Sequence, residues 1–202
     1  MLRCLAIYAV LASTVARADD GVYFTQTVGL SHASEATFGR PLQTRAGFGA
    51  RVRYLAVEAW MSSDTQLARD GSWLYFVGGE PKMKSDLDSY GVTARAIAPV
   101  HRTAKATVEA YARGDLGLAK ATGELDGYRG PLAGLGGGLQ IRGSVRALGS
   151  AWGPLFWLDR GPRVTAALFL DAGYDLVELH GERTIRTGLV RTTLGFAVGS
   201  SF

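Results

Sequence analysis

The sequence predicts an all-β fold: a single antiparallel up-and-down β-barrel of eight strands that crosses a membrane. Three observations carry that prediction. Eight windows alternate apolar residues with small or polar ones at a period of two, the mark of a strand with one greasy face. Beyond the first residues, no stretch approaches the roughly 18–20 unbroken apolar residues of a spanning helix, so any bilayer crossing falls to strands. The chain also opens on what reads as an export signal.

That opening, Met1 to Ala18, has Arg3 as its positive region and an apolar run from Cys4 to Ala12. Ala16-Arg17-Ala18 then forms a small-x-small cleavage site before Asp19. The expected organisation is therefore a cleaved signal at 1–18 and a barrel domain at 19–202. Cleavage removes Cys4, the one cysteine, which excludes disulfides and Cys-ligated metals from the mature chain. It also removes Arg3 and Arg17, leaving 20 of the 22 basic residues against 18 acidic ones. A balance so close to neutral does not point to nucleic acid.

The strands follow in order. The first places Val22, Phe24, Val28 and Leu30 on one face. The second sets Ala46, Phe48, Ala50 and Val52 against Arg45, Gly47, Gly49 and Arg51, and turns near Arg53-Tyr54. The third opposes Leu55, Val57, Ala59 and Met61 to Ala56, Glu58 and Trp60. The fourth runs Tyr90, Val92, Ala94, Ala96 and Ala98 against Thr93 and Arg95, with Pro99 expected to end it. In the fifth, Ala106, Val108, Ala110 and Ala112 oppose Thr107, Glu109, Tyr111 and Arg113. The sixth sets Leu135, Leu139, Ile141, Val145 and Ala147 against Gly136, Gly138, Gln140, Arg142, Ser144 and Arg146. The seventh opposes Val164, Ala166, Leu168, Leu170, Ala172 and Leu176 to Thr165, Phe169, Asp171 and Asp175. The eighth carries Val190, Leu194, Phe196, Val198 and Phe202, with Gly195, Ala197, Gly199 and Ser201 between them.

The connectors alternate. Residues 31–44, 62–86, 121–131 and 179–185 are polar and mostly long; those near 53–54 and at 99–104 are short. Gly149 to Pro162 breaks this pattern, being long and carrying Trp152, Leu155, Phe156, Trp157 and Leu158. It is expected along the inner rim with its aromatics at headgroup level, as a short plug, or as a miscounted strand pair.

Alternation alone does not say which face meets the surroundings. In a membrane barrel the aliphatic faces point outward and the polar faces in. Glu58, Arg95, Glu109, Arg113, Arg142, Asp171 and Arg191 all lie opposite the aliphatic face. In a narrow lumen such charges must pair. Counting outward from the hairpin loops pairs Glu109 with Arg142 and Asp171 with Arg191, and Glu58 less tightly with Arg95. An internal salt-bridge network closing the lumen is the expectation.

A terminal Phe on an alternating strand, Leu194, Phe196, Val198 and Phe202, resembles the insertion signal that the assembly machinery of bacterial outer-membrane barrels reads. With the export signal, the long and short connectors and the even strand count, the whole mature chain resembles the small eight-stranded outer-membrane barrels of the OmpA/OmpX type. That resemblance implies outer-membrane localisation, contact with outer-membrane lipids, insertion by the barrel assembly machinery, and a role in envelope integrity, surface contact or adhesion.

Signals for chemistry are sparse. His32-Ala33-Ser34 places His32 and Ser34 on one strand face and resembles the His-x-Ser of outer-membrane lipid A deacylases, though those enzymes carry it late in the chain. His101 and His180 have no second histidine at metal-ligand spacing, so no metal or cofactor is expected. Gly134 to Gly138 lacks the Lys-Ser/Thr of a phosphate loop; these glycines are expected to let a strand bend or to give Tyr111 room. In the longest loop Trp73, Tyr75 and Phe76 sit with Lys82 and Lys84, either extending an aromatic girdle or docking a surface partner or lipopolysaccharide phosphates. The leading functional reading is a non-enzymatic outer-membrane barrel with a closed polar lumen. The alternatives are a lipid-modifying hydrolase built on His32 and Ser34, and an exported soluble lipocalin-like carrier.

Overall fold

Eight strands close on themselves because each has one face that water rejects and each finds a hairpin partner. The computed structural model describes residues 20–35, 38, 41–65, 85–144 and 164–200. Its strands are β1 (Gly21–Ala33), β2 (Leu42–Val52), β3 (Leu55–Thr65), β4 (Leu87–Arg102), β5 (Ala106–Ala121), β6 (Arg129–Ser144), β7 (Val164–His180) and β8 (Thr184–Ser200). Each pairs antiparallel with the next, and β1 pairs with β8, giving a closed up-and-down barrel with no free edge. One 3-10 turn, Gly123–Leu125, interrupts the β5–β6 connection.

The ladders fix the geometry. Stepping across them from Gly21 leads through Arg51, Ala56, Arg95, Arg113, Gly136, Gly173 and Arg191 to Ser31. One circuit thus advances ten residues along β1, the shear of the barrel. Eight strands with that shear tilt by about 40°, and each residue climbs about 2.5 Å along the axis.

The strands run past several expected limits. Pro99 does not end β4: a bulge between Pro99 and His101 absorbs the residue without an N–H, and pairing resumes to Arg102. Connections expected at 121–131 and 179–185 shrink to 122–128 and 181–183, because β5–β8 reach 16 or 17 residues, well beyond the 9–11 that cross a bilayer. Arg53 takes φ 54 in the tight β2–β3 turn, held by its N–H to Asp20 Oδ1 at 2.9 Å and by Arg51 Nε to its carbonyl at 2.8 Å.

The faces settle the orientation. Leu135, Leu116, Met61, Leu55, Leu170 and Leu194 are all more than half exposed, and the charges that alternate with them are buried. The exposed apolar band runs from Val52 and Ile141 at one end to Leu118, Leu176 and Val190 at the other, about 25 Å along the axis, the height of the lipid-facing band on outer-membrane barrels. Beyond it, at the loop end, the interior turns apolar. Leu87, Leu132, Val177, Leu179 and Leu189 pack there with Phe38 and Leu125 into a cap over the lumen.

The signal at 1–18, the loop residues Trp73, Tyr75, Phe76, Lys82 and Lys84, the connector 149–162, and Val145, Arg146, Ala147 and Phe202 lie outside the described residues.

Candidate functional site: the ionic lumen

Because side chains alternate along a strand, every second residue of each strand enters the lumen. Among the described residues, six arginines (Arg45, Arg51, Arg95, Arg113, Arg142, Arg191) and six carboxylates (Glu58, Asp64, Glu109, Asp115, Asp171, Asp175) are buried there. They fall into three groups stacked along the axis.

Nearest the chain termini, Glu109 takes two guanidinium groups. Arg51 donates Nη1 and Nη2 to its two oxygens at 2.8 and 2.9 Å, a bidentate fork. Arg142 donates from the other side at 3.1 and 3.3 Å, and Gln140 Nε2 at 2.5 Å. This group carries two positive charges and one negative.

The middle group is balanced. Glu58 joins Arg95 at 2.9 Å to Arg45 at 3.4 Å, and Arg45 continues to Asp115 at 3.2 Å. Asp115 also pairs with Arg113 and accepts from the Thr93 hydroxyl. Arg113 in turn grips Asp171 at 2.8 Å, whose other oxygen accepts the Tyr111 hydroxyl at 2.9 Å. Aromatic rings cover what the carboxylates leave open: the Arg45 guanidinium lies 4.3 Å from the centre of Trp60, and Arg95 lies 5.5 Å from Tyr111 and Phe169. About 20 Å from the first group along the axis, Arg191 bridges Asp64 at 2.9 Å and Asp175 at 2.7 Å, one positive charge between two negative ones. The excess charges at the two ends cancel.

Of the seven charges singled out in the sequence, Glu109 and Arg142 meet, as do Glu58 and Arg95. Asp171 and Arg191 do not meet. Arg113 holds Asp171, and Arg191 turns to Asp175 and, across the lumen, to Asp64. Arg45, Arg51, Asp64, Asp115 and Asp175 complete the network. Arg45, Arg51 and Asp175 stood on the polar faces in the sequence; Asp64 and Asp115 carry the same two-residue phase and extend the strands Glu58 and Arg113 mark.

The glycines of β6 are part of the design. A Cβ at Gly138 would meet the Leu170 carbonyl and come within 2.9 Å of the Tyr111 hydroxyl, and one at Gly136 would lie 3.1 Å from the Arg113 guanidinium. Their absence of side chains makes room for the Tyr111–Asp171–Arg113 contacts. A void of about 10 Å³ bounded by Thr27, Gln43, Arg45 and Thr193 has space for about one water molecule.

The remaining candidates lie elsewhere. Leu194, Phe196 and Val198 face outward on β8. His32 is exposed on the outer face. Ser34 Oγ accepts the Gly188 N–H at 2.8 Å and Ser34 N–H donates to the Gly188 carbonyl at 2.8 Å, so Ser34 extends the ladder to β8. No hydrogen bond joins His32 to Ser34. Among the described residues no helix is long and apolar enough to cross a membrane, and no group of three potential ligands could hold a metal ion.

No family model and no curated protein matches the sequence. Solved structures do match the fold. Neisserial surface protein A is similar at a TM-score of 0.52 and 14% identity, over 90% of this chain and 97% of that one. Ail, the attachment invasion locus protein of Yersinia pestis, aligns over 89% of this chain and 99% of its own at 14% identity and a TM-score of 0.39. A major outer membrane protein from Thermus thermophilus aligns over 88% and 98% at 9% identity and a TM-score of 0.36. With its closed ring of eight antiparallel strands, the chain has the fold of the small eight-stranded outer-membrane β-barrels.

Proposed function

We propose that the protein is an integral outer-membrane barrel that performs no catalysis and serves envelope integrity or surface contact, with a lumen shut by its own ions. The observation that carries this reading is the inversion of faces: twelve charged side chains buried inside, a continuous aliphatic band outside. In water such a surface would associate, since monomeric soluble proteins rarely expose apolar patches beyond a few hundred Å². A lipocalin-like carrier needs the reverse arrangement, with an apolar cavity in place of this network. The His32 and Ser34 hydrolase has no support in the geometry around Ser34.

On this reading the short-turn end faces the periplasm and the long loops face outward. Outer-membrane lipids surround the band, and the assembly machinery reads β8 through Leu194, Phe196, Val198 and Phe202. The loop bearing Trp73, Tyr75, Phe76, Lys82 and Lys84 is the proposed contact for a surface partner.

The test combines three measurements. The mature protein partitions with membranes and, extracted in detergent, migrates differently on a gel before and after boiling. In a planar bilayer it carries no steady conductance. Release without detergent refutes the membrane reading, and large stable pores refute the closed lumen.

A further inference from the structure

Above the apolar band, the outer surface is not uniform. On β5–β8 the outward positions beyond Leu118 and Leu176 include the exposed Lys120, Arg129, His180 and Arg186, with Glu178 among them. Lys120 pairs in register with Arg129, Arg129 with His180, and Arg186 stands opposite Glu178, so these residues lie abreast on four neighbouring strands. Three strand spacings make the row about 15 Å wide. It sits about 5–10 Å beyond the band edge, at the level of lipid headgroups.

Charge balance sets the row apart from the lumen. Arg186 and His180 share Glu178, at 2.9 and 3.6 Å. Lys120 and Arg129 make no ion pair among the described residues. Near the loop end of β1–β4 the outward positions include His32, Ser63, Thr65 and Asp88, and Asp88 accepts the Ser63 hydroxyl at 2.6 Å. Among the described residues, the exposed basic side chains at the loop end gather on this side, on the wall that the long strands raise above the bilayer. Long basic side chains at this depth lay their stems along the apolar surface and lift their charges to the interface, where phosphate is the complementary group.

We propose that Lys120, Arg129 and Arg186, with His180 beside them, form a binding site for the phosphate groups of lipid headgroups in the leaflet at the loop end. The proposal rests on the membrane-barrel reading and adds a ligand class and a location to it. The site lies on the strands, outside both the lumen and the long loop.

The experiment uses the mature protein in a neutral detergent, titrated with diphosphoryl lipid A, with the same lipid stripped of its phosphates, and with inorganic phosphate, binding being read by native mass spectrometry. Wild type binds the phosphorylated lipid, and that binding weakens with added salt. With roughly fivefold lost per basic residue at a membrane surface, the K120Q/R129Q/R186Q variant loses about a hundredfold. R102Q/K105Q, at the opposite rim, loses nothing. All three positions point away from the lumen, so the variant keeps its boiling-dependent gel shift; should the triple change impair folding, K120Q and R129Q singly lose about fivefold each. Equal retention of phosphorylated and stripped lipid, equal binding by the triple variant, or saturation by inorganic phosphate alone overturns the proposal. Failure of the membrane-barrel reading would look different, as wild type that stays in solution without detergent.

Discussion

Replacing Glu109 by Gln removes the one negative charge that two arginines share. In the wild type Arg51 and Arg142 both converge on this carboxylate, and its side chain is wholly enclosed. After the substitution two guanidinium groups face a neutral amide in a site water cannot enter freely. Breaking a buried pair by removing one partner costs roughly 3–5 kcal/mol, and Glu109 serves two partners, which points to the upper part of that range. The assay is equilibrium urea unfolding in detergent or lipid, with the folded fraction read from gel mobility. A matched control is Glu178→Gln: its partner Arg186 lies on the outer face at the same 2.9 Å separation as many of the lumen contacts, yet 71% exposed. Exposed pairs contribute about 0–1 kcal/mol, so E178Q barely shifts the midpoint. Adding Arg51→Met to E109Q removes one of the stranded charges and restores part of the loss. An E109Q midpoint indistinguishable from that of E178Q would refute the claim that the ionic lumen, and not the ladder alone, holds this barrel together.

The other expectations follow from the same geometry. Asp175→Asn leaves Arg191 still paired with Asp64 at 2.9 Å, and it removes the excess negative charge of that group; the same urea assay should read about 1–2 kcal/mol, clearly less than E109Q. Gly138→Ala drives a Cβ into the Leu170 carbonyl and against the Tyr111 hydroxyl, an overpacking cost of about 1–3 kcal/mol, and Tyr111→Phe does not rescue it because the nearest obstacle is backbone. Leu170→Arg, near the middle of the band, costs about 2–4 kcal/mol in lipid, while Val52→Arg at the band edge costs about 0–1; equal costs at the two depths would contradict the placement of the bilayer.

How far the sequence reaches can be seen in particular residues. The strands and their facing are legible because alternation is local: Leu55, Val57 and Met61 against Glu58 needs only seven consecutive letters. The ion pairs are legible only in part, and the case of Asp171 explains why. Arg191 is in register with Gly173, so Asp171 and Asp175 are equally distant diagonal neighbours on β7. Counting from the hairpin cannot choose between them. The tilt can, because successive strands are displaced along the axis by the shear, and that displacement brings Asp175 level with Arg191 and Asp171 level with Arg113. Shear is a property of the closed ring of ladders, as is the reach of Arg191 across the lumen to Asp64, 127 residues away in sequence. Pro99 is a second instance. Its missing N–H argues for a strand end, and only the partner strand reveals that a bulge at Val100 lets pairing continue. The cationic row on β5–β8 is hidden for the same reason. Arg129 falls in one expected loop and His180 in another, and only the long strands set them side by side with Lys120.

Whether hydrocarbon covers the aliphatic side of every strand can be measured directly. With Cys4 replaced, single cysteines are placed at Leu170 on the band and at Lys105 in the β4–β5 turn, labelled with a small fluorophore, and the protein is reconstituted in vesicles of bromine-labelled lipid. Strong quenching at 170 and little at 105 are expected. A label at 170 that reports water and ignores the brominated chains would contradict that coverage.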